Sequence, residues 1–108
     1  MLTAEFWVKA YLKRLELKNI PAYVIRHGND SSGAVLVKCA RLNGTAQAYQ
    51  RSFDLMTGDR RWIELICGSE ADVDASIRKQ TGFDPDLWVI ELESRDGQTL
   101  LDEDGLNL

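Results

Sequence analysis

His27, the single histidine of the chain, stands before Gly28-Asn29-Asp30. Imidazole titrates near neutrality, so one reading makes it a general base oriented by Asp30, and the other a solvent-exposed histidine at a strand end. A lone imidazole excludes a metal centre built on several of them. Cys67 precedes Gly68-Ser69 and a predicted helix, a position where the helix dipole favours a thiolate. Glu70, Asp72 and Asp74 crowd that same turn and oppose a second negative charge, so Cys67 reads as a buried structural thiol before it reads as a nucleophile. With only Gly68 in the loop there is neither a P-loop nor a GxGxxG pattern, and no phosphate site is expected. Cys39 and Cys67 fall in different predicted strands without CxxC spacing, which suggests two reduced, mostly buried thiols rather than a disulfide framework or zinc ligands. No catalytic residue, metal or cofactor is expected.

The binding candidates are better defined. Trp7, Tyr11, Arg14 and Lys18 follow at +4, +3 and +4, which lines two aromatic rings and two cations along one strip of a helix. Such a strip can stack on bases and meet phosphates, or the rings can seal a core edge while the cations snorkel over them. Around Thr57-Gly58-Asp59, the residues Arg51, Asp54, Asp59, Arg60 and Arg61 alternate in charge. Arg51, Arg60 and Arg61 could grip a carboxylate or phosphate in a fork, and cross-strand ion pairing is the plainer alternative.

These residues need elements to hold them. Thr3 as N-cap, Glu5 near the dipole's positive end and an uninterrupted run to Asn19-Ile20-Pro21 predict a helix over 4–18. At about 100° per residue, Ala4, Val8, Tyr11, Leu12 and Leu15 share one arc and predict its core face. Phe6, Ala10 and Leu17 form a second apolar stripe, leaving one helix with two adhesive sides. Short runs rich in β-branched and aromatic residues then predict strands at 22–27, 34–42, 46–53 and 61–67. Asn43-Gly44 predicts a type I′ hairpin between the second and third. Ser69 as N-cap predicts a helix over 70–81 with Gly82 as its C′ residue, and Leu87–Glu93 a fifth strand with Trp88, Ile90 and Leu92 on one face. Asp96-Gly97 is a candidate turn into a short sixth strand, and the acidic residues 102–108 are expected to fray.

The expected fold is therefore α+β: a single domain over 1–108 with a mainly antiparallel sheet of about five strands and two helices, in the order α-β-β-β-β-α-β, both helices on one face. A length of 108 residues suits one core, and 44% hydrophobic with 28% charged residues is an ordinary globular composition. No apolar run approaches the roughly 20 residues of a membrane span, and Met1-Leu2-Thr3-Ala4-Glu5 lacks the features of a signal peptide, so a cytoplasmic protein is expected. The net charge of −4 conceals a split: residues 1–51 carry 8 Lys/Arg against 3 Asp/Glu, and residues 52–108 carry 5 against 14. Such polarity can pair copies of the chain or disappear when the fold intermixes the halves. An acidic pI near 4.9 weighs against dedicated nucleic-acid binding.

Three stretches, Glu5–Leu12, Tyr49–Gly58 and Phe83–Val89, together resemble a family of short bacterial proteins of unknown function, and the likeness extends over nearly the whole chain. The resemblance implies a bacterial, cytoplasmic protein and supplies no activity, cofactor or catalytic residue. The leading expectation is a small non-enzymatic module that binds protein, itself included, through Phe6 and Leu17 or an exposed sheet edge. Nucleic-acid binding through Trp7, Tyr11, Arg14 and Lys18, and an enzyme using Cys67 or His27, are the alternatives.

Overall fold

A computed structural model describes residues 3–53, 56–58 and 60–103, without the side chains at 52, 53 and 60. Helix α1 (Ala4–Leu17) begins where Thr3, in extended backbone, accepts a hydrogen bond from the Phe6 N–H through its hydroxyl. It ends where Asn19 takes a positive φ of 59° ahead of Pro21. Strands β1 (Ala22–Arg26), β2 (Val35–Ala40), β3 (Thr45–Phe53) and β4 (Arg60–Ser69) lead into α2 (Glu70–Phe83) and then β5 (Trp88–Glu93). The α-β-β-β-β-α-β order is as expected.

Spatial order is β1-β5-β2-β3-β4. Three pairings are antiparallel, while β5 runs parallel to β2, with Val37 opposite Ile90. The last strand thus takes an interior place between the first two, because α2 carries the chain back across the sheet and only a crossover can deliver a parallel neighbour. Residues 27–34 therefore form no hairpin. They loop over the N-terminus of α1, where the carbonyls of Asp30 and Ser31 accept from the N–H groups of Glu5 and Ala4. Gly28 lies so close to Asp86 and Trp88 that a Cβ there would collide with the Asp86 carbonyl oxygen.

The helices lie on opposite faces of the sheet, not on one. Trp7, Val8, Tyr11 and Leu15 pack with Val35, Val37, Cys39, Trp88, Ile90 and Leu92. Val73 and Ile77 of α2 pack with the alternate residues Leu36, Ala46, Ala48 and Val89. Because successive strand residues point to opposite sides, the near-continuous apolar runs of β2 and β5 need a cover on each face. Burial of Trp88, Ile90 and Leu92 on one face matches the expectation. On α1, Trp7 is in the core and Ala4 and Leu12 are only partly buried, so the buried arc is rotated towards Trp7.

Three local expectations are corrected. The β2–β3 connection is not a two-residue type I′ turn: Leu42 and Gly44 have positive φ, Arg41 bonds Thr45, and the Asn43 carboxamide oxygen accepts from the Thr45 N–H and hydroxyl. Gly82 lies inside α2, and Asp84 is the cap. After Asp96 no sixth strand forms among the described residues; Leu100 and Leu101 instead insert into the α1 core, and the Tyr11 hydroxyl donates to the Thr99 carbonyl at 2.8 Å. Most of the acidic tail, 104–108, lies outside the described residues.

Candidate interaction site

Helix α1 presents a sharp contrast between its sides. Tyr11 and Leu15 are sealed against the sheet, while Phe6 is 58% and Leu17 69% exposed. Phe6, Ala10, Arg14 and Leu17 follow at +4, +4 and +3, so they make one continuous strip along the helix. Exposed lysines border it: Lys9 holds Glu5 at 2.7 Å and Lys13 holds Glu16 at 3.7 Å. The Glu5 hydrogen bond raises the Lys9 pKa, so this cation persists at any physiological pH. Lys18 caps the helix and is exposed.

The aromatic and basic candidates separate from one another. Trp7 and Tyr11 stack at 4.9 Å with both rings buried, so as folded they offer no face on which a base could stack. Burial drives the Tyr11 hydroxyl pKa far above its ordinary value. Trp7 also meets Trp62 of β4 at 5.3 Å, and the Arg51 guanidinium stands 5.5 Å from each indole. Arg51 is thus a cation over two rings. Arg14 reaches Glu103 at 3.7 Å. Beside this cluster opens a groove of about 640 Å³ between Tyr49, Arg61 and Trp62 on one side and residues 97–103 on the other. Burial, then Glu64, raises the Tyr49 pKa. Arg61 is exposed at the groove, whereas the Arg60 side chain, Asp54 and Asp59 lie outside the described residues.

The two chemical candidates stand apart. His27 Nε2 lies 2.6 Å from Asp30 Oδ1, as a base and its orienter would, with the imidazole 4.0 Å from the Trp88 ring. Both His27 and Asp30 are largely in solvent on a loop whose polar groups close upon themselves and α1. Cys67 is exposed on edge strand β4 and not buried as expected, because β4 continues to Ser69 and sets Cys67 opposite Gln47. The helix N-terminus is therefore three residues away from it. Cys39 is buried, and burial raises its pKa. No group of three or more metal-ligating side chains occurs among the described residues.

One charged residue that sequence reasoning passed over is the most enclosed of all. Lys38, 3% exposed in central strand β2, places its ammonium 2.7 Å from Asp74, 2.9 Å from Glu70 and 3.1 Å from Glu91. Burial alone would lower its pKa, but these three partners outweigh that and raise it, Asp74 most. The signal was a lysine inside the apolar run Ala34–Ala40, with carboxylates at i and i+4 on the following helix. On that face α2 lies over β3 and β4, which leaves the β5–β1 side with Tyr23 51% exposed and Glu91 and Glu93 partly exposed beside it. Glu93 hydrogen-bonds Tyr23 and raises its pKa.

Residues 2–102 match the family model described as protein of unknown function, DUF1491. The chain belongs to this family. A crystal structure of a family member from Caulobacter crescentus is 38% identical, with a TM-score of 0.85 over 94% of this chain and 96% of that one. A solution structure of a family protein from the same organism gives 38% identity and a TM-score of 0.81, covering 94% and 93%. A protein from A. tumefaciens, solved in solution, is 25% identical with a TM-score of 0.74 over 86% of each chain. No curated protein matches the sequence. The family supports the fold and assigns no activity. No described helix is long and apolar enough to cross a membrane.

Proposed function

We propose that this chain is a small, non-enzymatic protein-interaction module of the bacterial cytoplasm that binds through the Phe6–Leu17 strip of α1. The observation that carries the reading is the exposure of two large apolar side chains on a helix whose other side buries Trp7, Val8, Tyr11 and Leu15. A free helix strip gains nothing from leaving Phe6 and Leu17 in water, and burying each fully in an interface is worth roughly 1.5–3 kcal/mol. Lys9, Lys13, Arg14 and Lys18 outnumber Glu5 and Glu16 along α1, and this net basic border favours an acidic partner over an indiscriminate apolar one.

A second copy of the chain is the first partner to test. Light scattering coupled to size exclusion should show a mass above the 12.2 kDa of one chain that grows with concentration. The variant Phe6→Asp should remain monomeric with an unchanged melting temperature. Monomers at every micromolar concentration, or association indifferent to Phe6→Asp and Leu17→Asp alike, would overturn the reading.

A further inference from the structure

The interaction strip has a complement on the same molecule. On the α2 side of the sheet, Tyr23 stands uncovered beside Glu91 and Glu93, with Glu70 and Asp74 along the neighbouring edge of α2. Ile25, 58% exposed, sits in the bulge where β1 slips register against β5, at the rim of this face. Carboxylates outnumber the one buried ammonium of Lys38 here, so the face is apolar with an acidic border. The α1 strip, apolar with a border where Lys9, Lys13, Arg14 and Lys18 outnumber Glu5 and Glu16, lies on the opposite face of the sheet. No chain can bring its own strip to its own acidic face. Two chains can.

We propose, resting on the reading of α1 as a binding strip, that copies associate head to tail: Phe6 and Leu17 of one copy seat on Tyr23 and Ile25 of the next, with the net basic border of α1 facing the net acidic border of that surface. The argument is complementarity of both kinds, apolar against apolar and cation against carboxylate, between two surfaces that the remainder of the fold leaves uncovered. It also gives a use to the charge split in the sequence, where the basic excess of residues 1–51 includes the lysines of α1 and the acidic excess of residues 52–108 includes the carboxylates of β5 and α2. A contact between different patches is heterologous, so it builds a ring or a growing string, whereas an isologous pair stops at two.

The test uses the full chain and two exposed-surface variants, Leu17→Asp for the strip and Ile25→Lys for the face, each checked for unchanged melting temperature. Wild-type chain should grow in mass with concentration and shrink towards the monomer at high salt. Each variant alone should stay monomeric. An equimolar mixture should give a complex of two chains and no more, because only the intact strip of Ile25→Lys and the intact face of Leu17→Asp can meet. If Leu17→Asp abolishes association while Ile25→Lys assembles as wild type does, the strip is a binding surface but β1–β5 is not its partner, and this proposal fails while the functional reading stands. Failure of the mixture to form the two-chain species also overturns it, as does a monomeric wild type.

Discussion

Replacing Lys38 by methionine keeps the length and most of the volume of the side chain and removes the ammonium, so packing is preserved while three charge-assisted hydrogen bonds are lost. Such bonds are worth roughly 1.5–3 kcal/mol each when fully buried. Here Glu70 and Asp74 keep 43% and 41% of their side-chain surface in water and Glu91 23%, so about 1 kcal/mol apiece is the realistic scale. Relief of the buried ammonium's dehydration returns part of that sum. Lys38→Met should therefore lower the free energy of unfolding by about 2 kcal/mol at neutral pH, read from urea melts with an unchanged slope. Both α2 carboxylates lose their anchor on β2, so amide exchange should accelerate in the first turns of α2 and not in α1. The pH dependence has a definite sign. A lysine whose folded pKa is raised contributes fully below its unfolded value of about 10.4 and loses that contribution as pH climbs beyond it, so the gap between wild type and variant should be flat from neutrality and narrow only in strong alkali. A variant as stable as wild type within about 0.3 kcal/mol would refute the reasoning that this network adds to the apolar packing of Val73 and Ile77 in holding α2 on the sheet.

Gly28→Ala should cost about 2–3 kcal/mol, measured by thermal unfolding, because the new methyl meets the Asp86 carbonyl and the Trp88 ring at once. Gly44→Ala, which meets no neighbour but forces a side chain into a φ of 89°, should cost only about 1 kcal/mol. A thiol reagent should modify Cys67 quickly in the native protein and Cys39 only on unfolding, a stoichiometry of one then two that absorbance can follow. In a spectrophotometric titration Tyr11 should ionise last among the three tyrosines and together with loss of the fold, since burial holds its phenol neutral.

What could be read from the sequence was whatever is decided locally. Thr3 and Ser69 as caps, the strand runs and the paired stripes of α1 follow from propensity, spacing and side-chain hydrogen bonding within a few residues. The insertion of β5 between β1 and β2 was not legible, because it depends on where α2 delivers the chain. The two-sided placement of the helices was present as a hint in the unbroken apolar run Ala34-Val35-Leu36-Val37, which a one-sided sheet would not need. At the candidate site, the exposure of Phe6 and Leu17 followed from helical spacing, while the burial of Trp7 depended on Trp62 and Arg51, distant in sequence. Cys67 was misplaced because the strand before α2 runs two residues further than its apolar pattern. Lys38 was passed over because its three partners come from two later elements.

The interior position of β5 also governs how the molecule can be made on a ribosome. Until Trp88–Glu93 has emerged, β1 lacks its strand partner, one side of β2 is bare, and α1 lacks the Trp88, Ile90 and Leu92 part of its core, so only β2-β3-β4 can pair as in the finished sheet. Closure of the sheet then joins residues some 70 positions apart, Ala22 to Leu92, in one late event. Stalled translation products ending before residue 88 should accordingly be protease-sensitive throughout α1 and β1, and resistance should arrive there all at once when β5 is supplied.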